Sequence, residues 1–123
     1  MKLLVVIVSY RVTDLTIDCL QSLAGWAMPF ADSIDHSSGH LMVVLAPTNE
    51  IRNKAVSALR EAHIQSSMHY PCIPDFSVFR QQKADGVKNT RQFTERAITL
   101  PLFPTMTHDQ VRETVRCLRS VSL

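Results

Sequence analysis

Leu41-Met42-Val43-Val44-Leu45, then Pro47, then the run from Asn49 to His63, is the stretch on which the fold turns. The first five residues are apolar on both alternating faces, as in a strand covered on both sides, and Pro47 stops it because proline offers no ladder N–H. In the second run Ile51, Ala55, Leu59 and Ala62 recur at i, i+4, i+8 and i+11, and Glu50 sits in the first turn, where a negative charge complements the helix dipole. A central strand handed directly to an amphipathic helix predicts an α/β fold, a small mixed sheet flanked by helices.

Downstream, Ile64 leads into Gln65-Ser66-Ser67-Met68-His69-Tyr70. Read as a strand, its period of two puts Gln65, Ser67 and His69 on one face and Met68 and Tyr70 on the other. The first face is polar without being charged, which suits a cleft better than bulk water. Pro71 and Pro74 break the pattern, Phe76, Val78 and Phe79 anchor an irregular segment, and Lys83 to Lys88 with Gly86 reads as a mobile loop. Thr90 to Ile98 reads as a short helix, and in Thr99-Leu100-Pro101-Leu102-Phe103-Pro104 the two prolines restrict any strand to an edge. In the last helix Thr107 and Gln110 form a capping-box pair, with Val111, Val115, Leu118 and Val121 as the buried stripe.

Upstream, Leu3-Leu4-Val5-Val6-Ile7-Val8 reads as a strand buried on both faces. Thr13 or Asp14 then caps a helix carrying Leu15, Cys19, Leu20 and Leu23, which ends near Gly25. From Trp26 to His40 the periodicity disappears, and Ala31 to Gly39 has the small polar composition of a loop. The expected division is therefore 1–25, a junction at 26–36, and 37–123.

A chain of 123 residues supports one modest core. Hydrophobic residues at 46% and charged residues at 20% are those of a globular chain and argue against disorder. With a formal charge of +2 and no basic patch interleaved with aromatics, nucleic-acid binding is not expected. Cys19, Cys72 and Cys117 are widely separated, with no Cys-x-x-Cys pair, so they read as free thiols in a reducing, cytoplasmic setting. The opening apolar run is too short for a signal-peptide core or a membrane span.

The blocks Ser38-Gly39-His40-Leu41, Leu59-Arg60-Glu61-Ala62-His63-Ile64, Ser67-Met68-His69-Tyr70-Pro71, Thr94-Glu95-Arg96-Ala97 before Thr99-Leu100-Pro101-Leu102-Phe103-Pro104, and Met106-Thr107 occur in one order. In that order they resemble the small C-terminal domain of the DegT/DnrJ/StrS family. These are fold-type I, pyridoxal-phosphate (PLP) dependent aminotransferases that put amino groups on nucleotide-linked keto-sugars. Residues 1–25, with Val5-Val6-Ile7-Val8-Ser9-Tyr10-Arg11 and Asp14 to Leu23, are similar instead to the opening strand and helix of family 2 glycosyltransferases. Ser9 and Tyr10 match the positions that approach the donor nucleotide there. No Asp-x-Asp motif accompanies them.

The aminotransferase resemblance implies PLP as the family's cofactor and a keto-sugar as its substrate. It also implies that the Schiff-base lysine, the acid on the pyridine nitrogen and the phosphate donors come from a large N-terminal domain. Lys2, Lys54, Lys83 and Lys88 are the four lysines here, and none matches that domain's cofactor-bearing motif. The expectation is a truncated aminotransferase that does not bind PLP alone and cannot run transamination by itself. His69 and Tyr70 are the candidate substrate-binding residues: the resemblance puts their block near the cleft, and the period of two puts His69 on the polar face. The alternative for His69 is a strand histidine that hydrogen-bonds within its own domain. His36 and His40 have His-x-x-x-His spacing but no cysteine or carboxylate pair at matching distance, so no metal is expected. Two other functions stay open: a non-catalytic module that self-associates or docks on a large domain, and a glycosyltransferase fragment carried by residues 1–25 alone.

Overall fold

In the computed structural model, residues 18, 21–29, 40–79 and 86–121 are described. The opening run at 3–8, most of the helix after it, the loop at 31–39 and residues 83–85 of the loop at 83–88 lie outside them.

The expected central strand forms as β1, Met42–Leu45, and the helix after it as α1, Asn49–Glu61. Thr48 caps α1, its Oγ1 accepting from the amide of Ile51 at 3.2 Å, and Lys54 pairs with Glu50 one turn on at 2.8 Å. The helix ends in paired bonds: the His63 amide donates to the Arg60 carbonyl and the Ile64 amide to Leu59. That pattern requires a left-handed residue at the first position beyond the cap, and His63 supplies it with φ 57°.

The second strand is where the sequence reading needs correction. Residues 65–70 do not form a strand; only Ser67 makes a bridge, to Thr99. The partner of β1 is β2, Ala97–Leu100, entered directly from α2, Lys88–Arg96. The helix expected over 90–98 thus ends two residues early, at the start of a run rich in β-branched side chains. Nor is β2 an edge, since it pairs antiparallel with β1 on one side and bridges Ser67 on the other. Proline constrains only the position it occupies, and the ladder ends at Leu100, before Pro101.

Ala27 bridges Leu45 on the far side of β1, so four chain segments lie side by side in the order 27, β1, β2, 67. All of the described pairings are antiparallel. Trp26 and Met28, in the segment expected to begin a junction, pack against the core, and Leu23 is part of it. Gly25 makes the turn at φ 76°, and a Cβ there would come within 3.1 Å of the Pro47 ring.

One face of the sheet, formed by Met42, Val44, Ile98 and Leu100, packs with Ala55 and Leu59 of α1 and with Val115 and Leu118 of α3, His108–Ser120. The expected capping box opens α3: Thr107 Oγ1 accepts from the Gln110 amide at 3.3 Å, and Gln110 Oε1 accepts from the Thr107 amide at 2.8 Å. Thr114 is buried in α3, its hydroxyl satisfied by the Gln110 carbonyl at 2.8 Å. The other face carries Val43, Leu45, Ala97 and Thr99, by the alternation of side chains along a strand. Among the described residues no helix is long and apolar enough to cross a membrane.

Candidate functional site

An open groove of about 260 Å³ lies where the Ser67 bridge meets the end of β2, and it is lined by His40, Leu41, residues 65–67, His69 and residues 99–103. The face predicted from the period of two is realised without a regular strand: Gln65, Ser67 and His69 line the groove, while Met68 turns to α1, its sulfur 3.8 Å from an Arg52 guanidinium nitrogen. The Ser67 bridge fixes the register, and the alternation follows locally.

His69 is half-buried, and its Nδ1 lies 3.1 Å from Ser67 Oγ. Tyr70 stands outside the groove, 71% exposed, its ring edge-to-face with the His69 imidazole at 5.2 Å between centroids. Of the two residues singled out from the sequence, His69 therefore lines the groove and Tyr70 does not, touching it only through the His69 ring. Thr99 lines the groove too and is 6% exposed, with a hydroxyl that has no hydrogen-bond partner among the described residues. Sequence reasoning missed Thr99, since it becomes a groove residue only through pairing with Ser67 thirty-two positions away.

The far end of β1 is clamped by Arg96 and Asn49. Arg96 Nε donates to the Ala46 carbonyl at 2.6 Å, the Ala46 amide donates to the Arg96 carbonyl at 3.0 Å, and Asn49 Nδ2 reaches the Glu95 carbonyl at 2.8 Å. Arg91 pairs with Asp75, holding α2 to the first of two short 3-10 turns, Ile73–Asp75 and Ser77–Phe79. Beyond His69 the chain exposes Tyr70, Ile73, Phe76 and Val78, the last at 77%.

Lys54 lies on the solvent side of α1 in its pair with Glu50, whose carboxyl the ammonium holds below the usual range. Lys88 is exposed at the start of α2, and Lys2 and Lys83 lie outside the described residues. Cys72 is buried and Cys117 half-buried, and both are free thiols. Burial pushes the Cys117 thiol up, with the Glu113 carboxylate adding to the effect and Arg116 opposing it. Among the described residues no three His, Cys, Asp or Glu side chains cluster in a way that could hold a metal ion. His36 lies outside those residues, and His40 sits on the groove.

The sequence model of the DegT/DnrJ/EryC1/StrS aminotransferase family matches residues 10–119. The match takes in most of the stretch likened above to glycosyltransferases, and all of 26–36. Among solved structures, a protein described as a sugar aminotransferase from Streptococcus pneumoniae, in its PMP form, is 25% identical at a TM-score of 0.71, covering 89% of this chain and 29% of that one. A protein described as a PLP-dependent aminotransferase from Bacillus cereus is 26% identical at a TM-score of 0.75, covering 88% and 30%. The PseC aminotransferase of pseudaminic acid biosynthesis from Helicobacter pylori shares the fold at a TM-score of 0.74 and 19% identity, covering 87% and 30%. This chain thus spans under a third of the length of these structures. Among curated proteins nothing matches it.

Proposed function

Because the chain belongs to the DegT/DnrJ/EryC1/StrS aminotransferase family, we propose that it is the small-domain part of a PLP-dependent aminotransferase acting on a nucleotide-linked keto-sugar, with His69 and Tyr70 toward the substrate. The observation that carries this reading is the family match over residues 10–119, which includes the whole groove around His69. The imidazole, steadied by Ser67, supplies a hydrogen-bonding group to a substrate oxygen, and the Tyr70 ring meets the imidazole edge-to-face.

The described residues do not fit PLP. A Schiff base needs a lysine with an available amine inside a cleft, beside an acid for the pyridine nitrogen. Lys54 is held by Glu50 in solvent and Lys88 is exposed, so we assign no cofactor-binding residue, and no transamination step, to the described residues. The chain acts in the cytoplasm on this reading, which the free thiols Cys72 and Cys117 support.

The test is to incubate the chain with PLP, reduce with borohydride and search by mass spectrometry for an adduct. No specific adduct, together with a cooperative melt, is the expected result. A stoichiometric adduct on one lysine would overturn the assignment and make the chain a minimal aminotransferase.

A second reading, a non-catalytic module that self-associates or docks on a large domain, is favoured by one observation. Tyr70, Ile73, Phe76 and Val78 form an exposed apolar run on a segment held to the fold through Arg91–Asp75. The two readings are compatible, since a docked small domain would contribute His69 to a cleft completed by its partner.

A further inference from the structure

The bridge between Ser67 and Thr99 stops after one residue pair, although the two exchange both backbone bonds of an antiparallel ladder, at 2.8 and 3.0 Å. In such a ladder the next pairs of that kind stand two residues away on each side, here Gln65 with Pro101 and His69 with Ala97. Pro101 has no N–H to give. Ala97 has both backbone groups in use: its N–H donates to the Phe93 carbonyl at the end of α2, and its carbonyl accepts from Arg52 Nε at 3.4 Å. The His69 amide is left with no hydrogen bond among the described residues. Arg52 reaches the Ala97 carbonyl as part of a network from the first two turns of α1. Asn49 Nδ2 donates to the Glu95 carbonyl at 2.8 Å, Asn53 Nδ2 to Asn49 Oδ1 at 3.1 Å, and Arg52 Nη1 to Asn53 Oδ1 at 3.0 Å. Arg52 Nη2 lies 3.8 Å from the Met68 sulfur, so the guanidinium touches both Ala97 and the residue before His69.

We propose that Arg52 is a positioning residue for His69: by occupying the Ala97 carbonyl it ends the pairing at Ser67 and keeps the His69 backbone off β2. Ala97 is 3% exposed, so a carbonyl vacated by Arg52 would need another donor, and the one in ladder register is the His69 N–H. Pairing there would draw the His69 Cα to about 5.5 Å from that of Ala97 and fix the residue to the sheet edge. Unpaired, His69 is placed by its side chain, through Nδ1 at 3.1 Å from Ser67 Oγ. Arg96 makes an instructive contrast, since its Nε also donates to a carbonyl, that of Ala46, but on the β1 side of β2, where His69 has no pairing to gain. The inference deepens the reading given under Proposed function and rests on it for the role of His69 toward a substrate. The way the pairing ends does not depend on that role.

The experiment measures amide hydrogen exchange by NMR on the full 123-residue chain and its variants. Arg52→Met keeps the apolar stem and removes the donors. It is expected to slow exchange at the His69 amide about tenfold and to shift the His69 ring nitrogens as the imidazole leaves Ser67. Arg52→Gln, too short to reach Ala97, is a second variant expected to do the same. Arg52→Lys, whose ammonium reaches the carbonyl, is expected to keep the parent rate. Arg96→Met is the control: it removes a comparable clamp, and a loss of stability alone speeds exchange, opposite in sign to the effect expected from Arg52. Exchange at His69 that is unchanged or faster in the Met and Gln variants of Arg52 would overturn the proposal, and so would equal slowing in Arg52→Lys or Arg96→Met. A PLP adduct would sink the reading of the preceding subsection without touching these rates, whereas unchanged rates would remove Arg52 from the positioning of His69 and leave that reading standing.

Discussion

Ser67 Oγ lies 3.1 Å from Nδ1 of His69, so a backbone-anchored residue holds the imidazole that faces the groove. A hydrogen bond at one ring nitrogen determines which nitrogen carries the proton, and therefore what the other presents to a ligand. Ser67→Ala is expected to release His69 from one predominant tautomer into a mixture, with the two ring-nitrogen shifts converging in long-range proton–nitrogen NMR. Unchanged shifts would make the contact incidental.

His63 closes α1 in a left-handed conformation at φ 57°, where any side chain meets steric cost and glycine does not. His63→Gly is expected to stabilise the chain by about 0.5–1 kcal/mol, after allowing for the greater freedom of glycine in the unfolded state. Chemical denaturation would read this as a higher midpoint at an unchanged slope. A lower midpoint would mean that the imidazole makes contacts worth more than the backbone cost.

Leu59 is fully buried where α1 meets the sheet and α3. Leu59→Ala removes its packing and leaves a cavity, at a cost of about 2–5 kcal/mol. A domain of this size has about 5–15 kcal/mol in total, so the variant should be marginal or unfolded at 37 °C by circular dichroism. A melt like that of the parent would show that the two helices are not held through this residue.

Ile73 is 61% exposed and Val78 77%, so neither contributes much to the core. Replacing both with serine is expected to change stability by less than about 1 kcal/mol and to reduce self-association or docking measured by light scattering. Unaltered association would shift the docking surface away from this segment.

Local chemistry made several features legible in the sequence. The β1–α1 unit follows from one apolar run stopped by Pro47 and one 3.6-residue period, and the α3 capping box from two residues three positions apart. The polar parity of Gln65, Ser67 and His69 was legible as well, because alternation needs only an extended backbone. The partner of β1 was not legible. Residues 65–70 and 97–100 are both plausible strands by composition, and pairing energy is gained only when segments distant in the chain meet, which no local pattern records.

The sequence by itself determined the family and the helices α1 and α3 with most of their buried faces, since each of these is written in residue types at short spacing. Tertiary structure alone decided that β2 would take the centre, that Ser67 would be its second neighbour, and that Thr99 would carry an unpartnered hydroxyl in the same groove. The physical reason is that a hydrogen-bonded pair of residues 32 positions apart exists only once the chain has closed the loop between them, and the groove is a property of that closure.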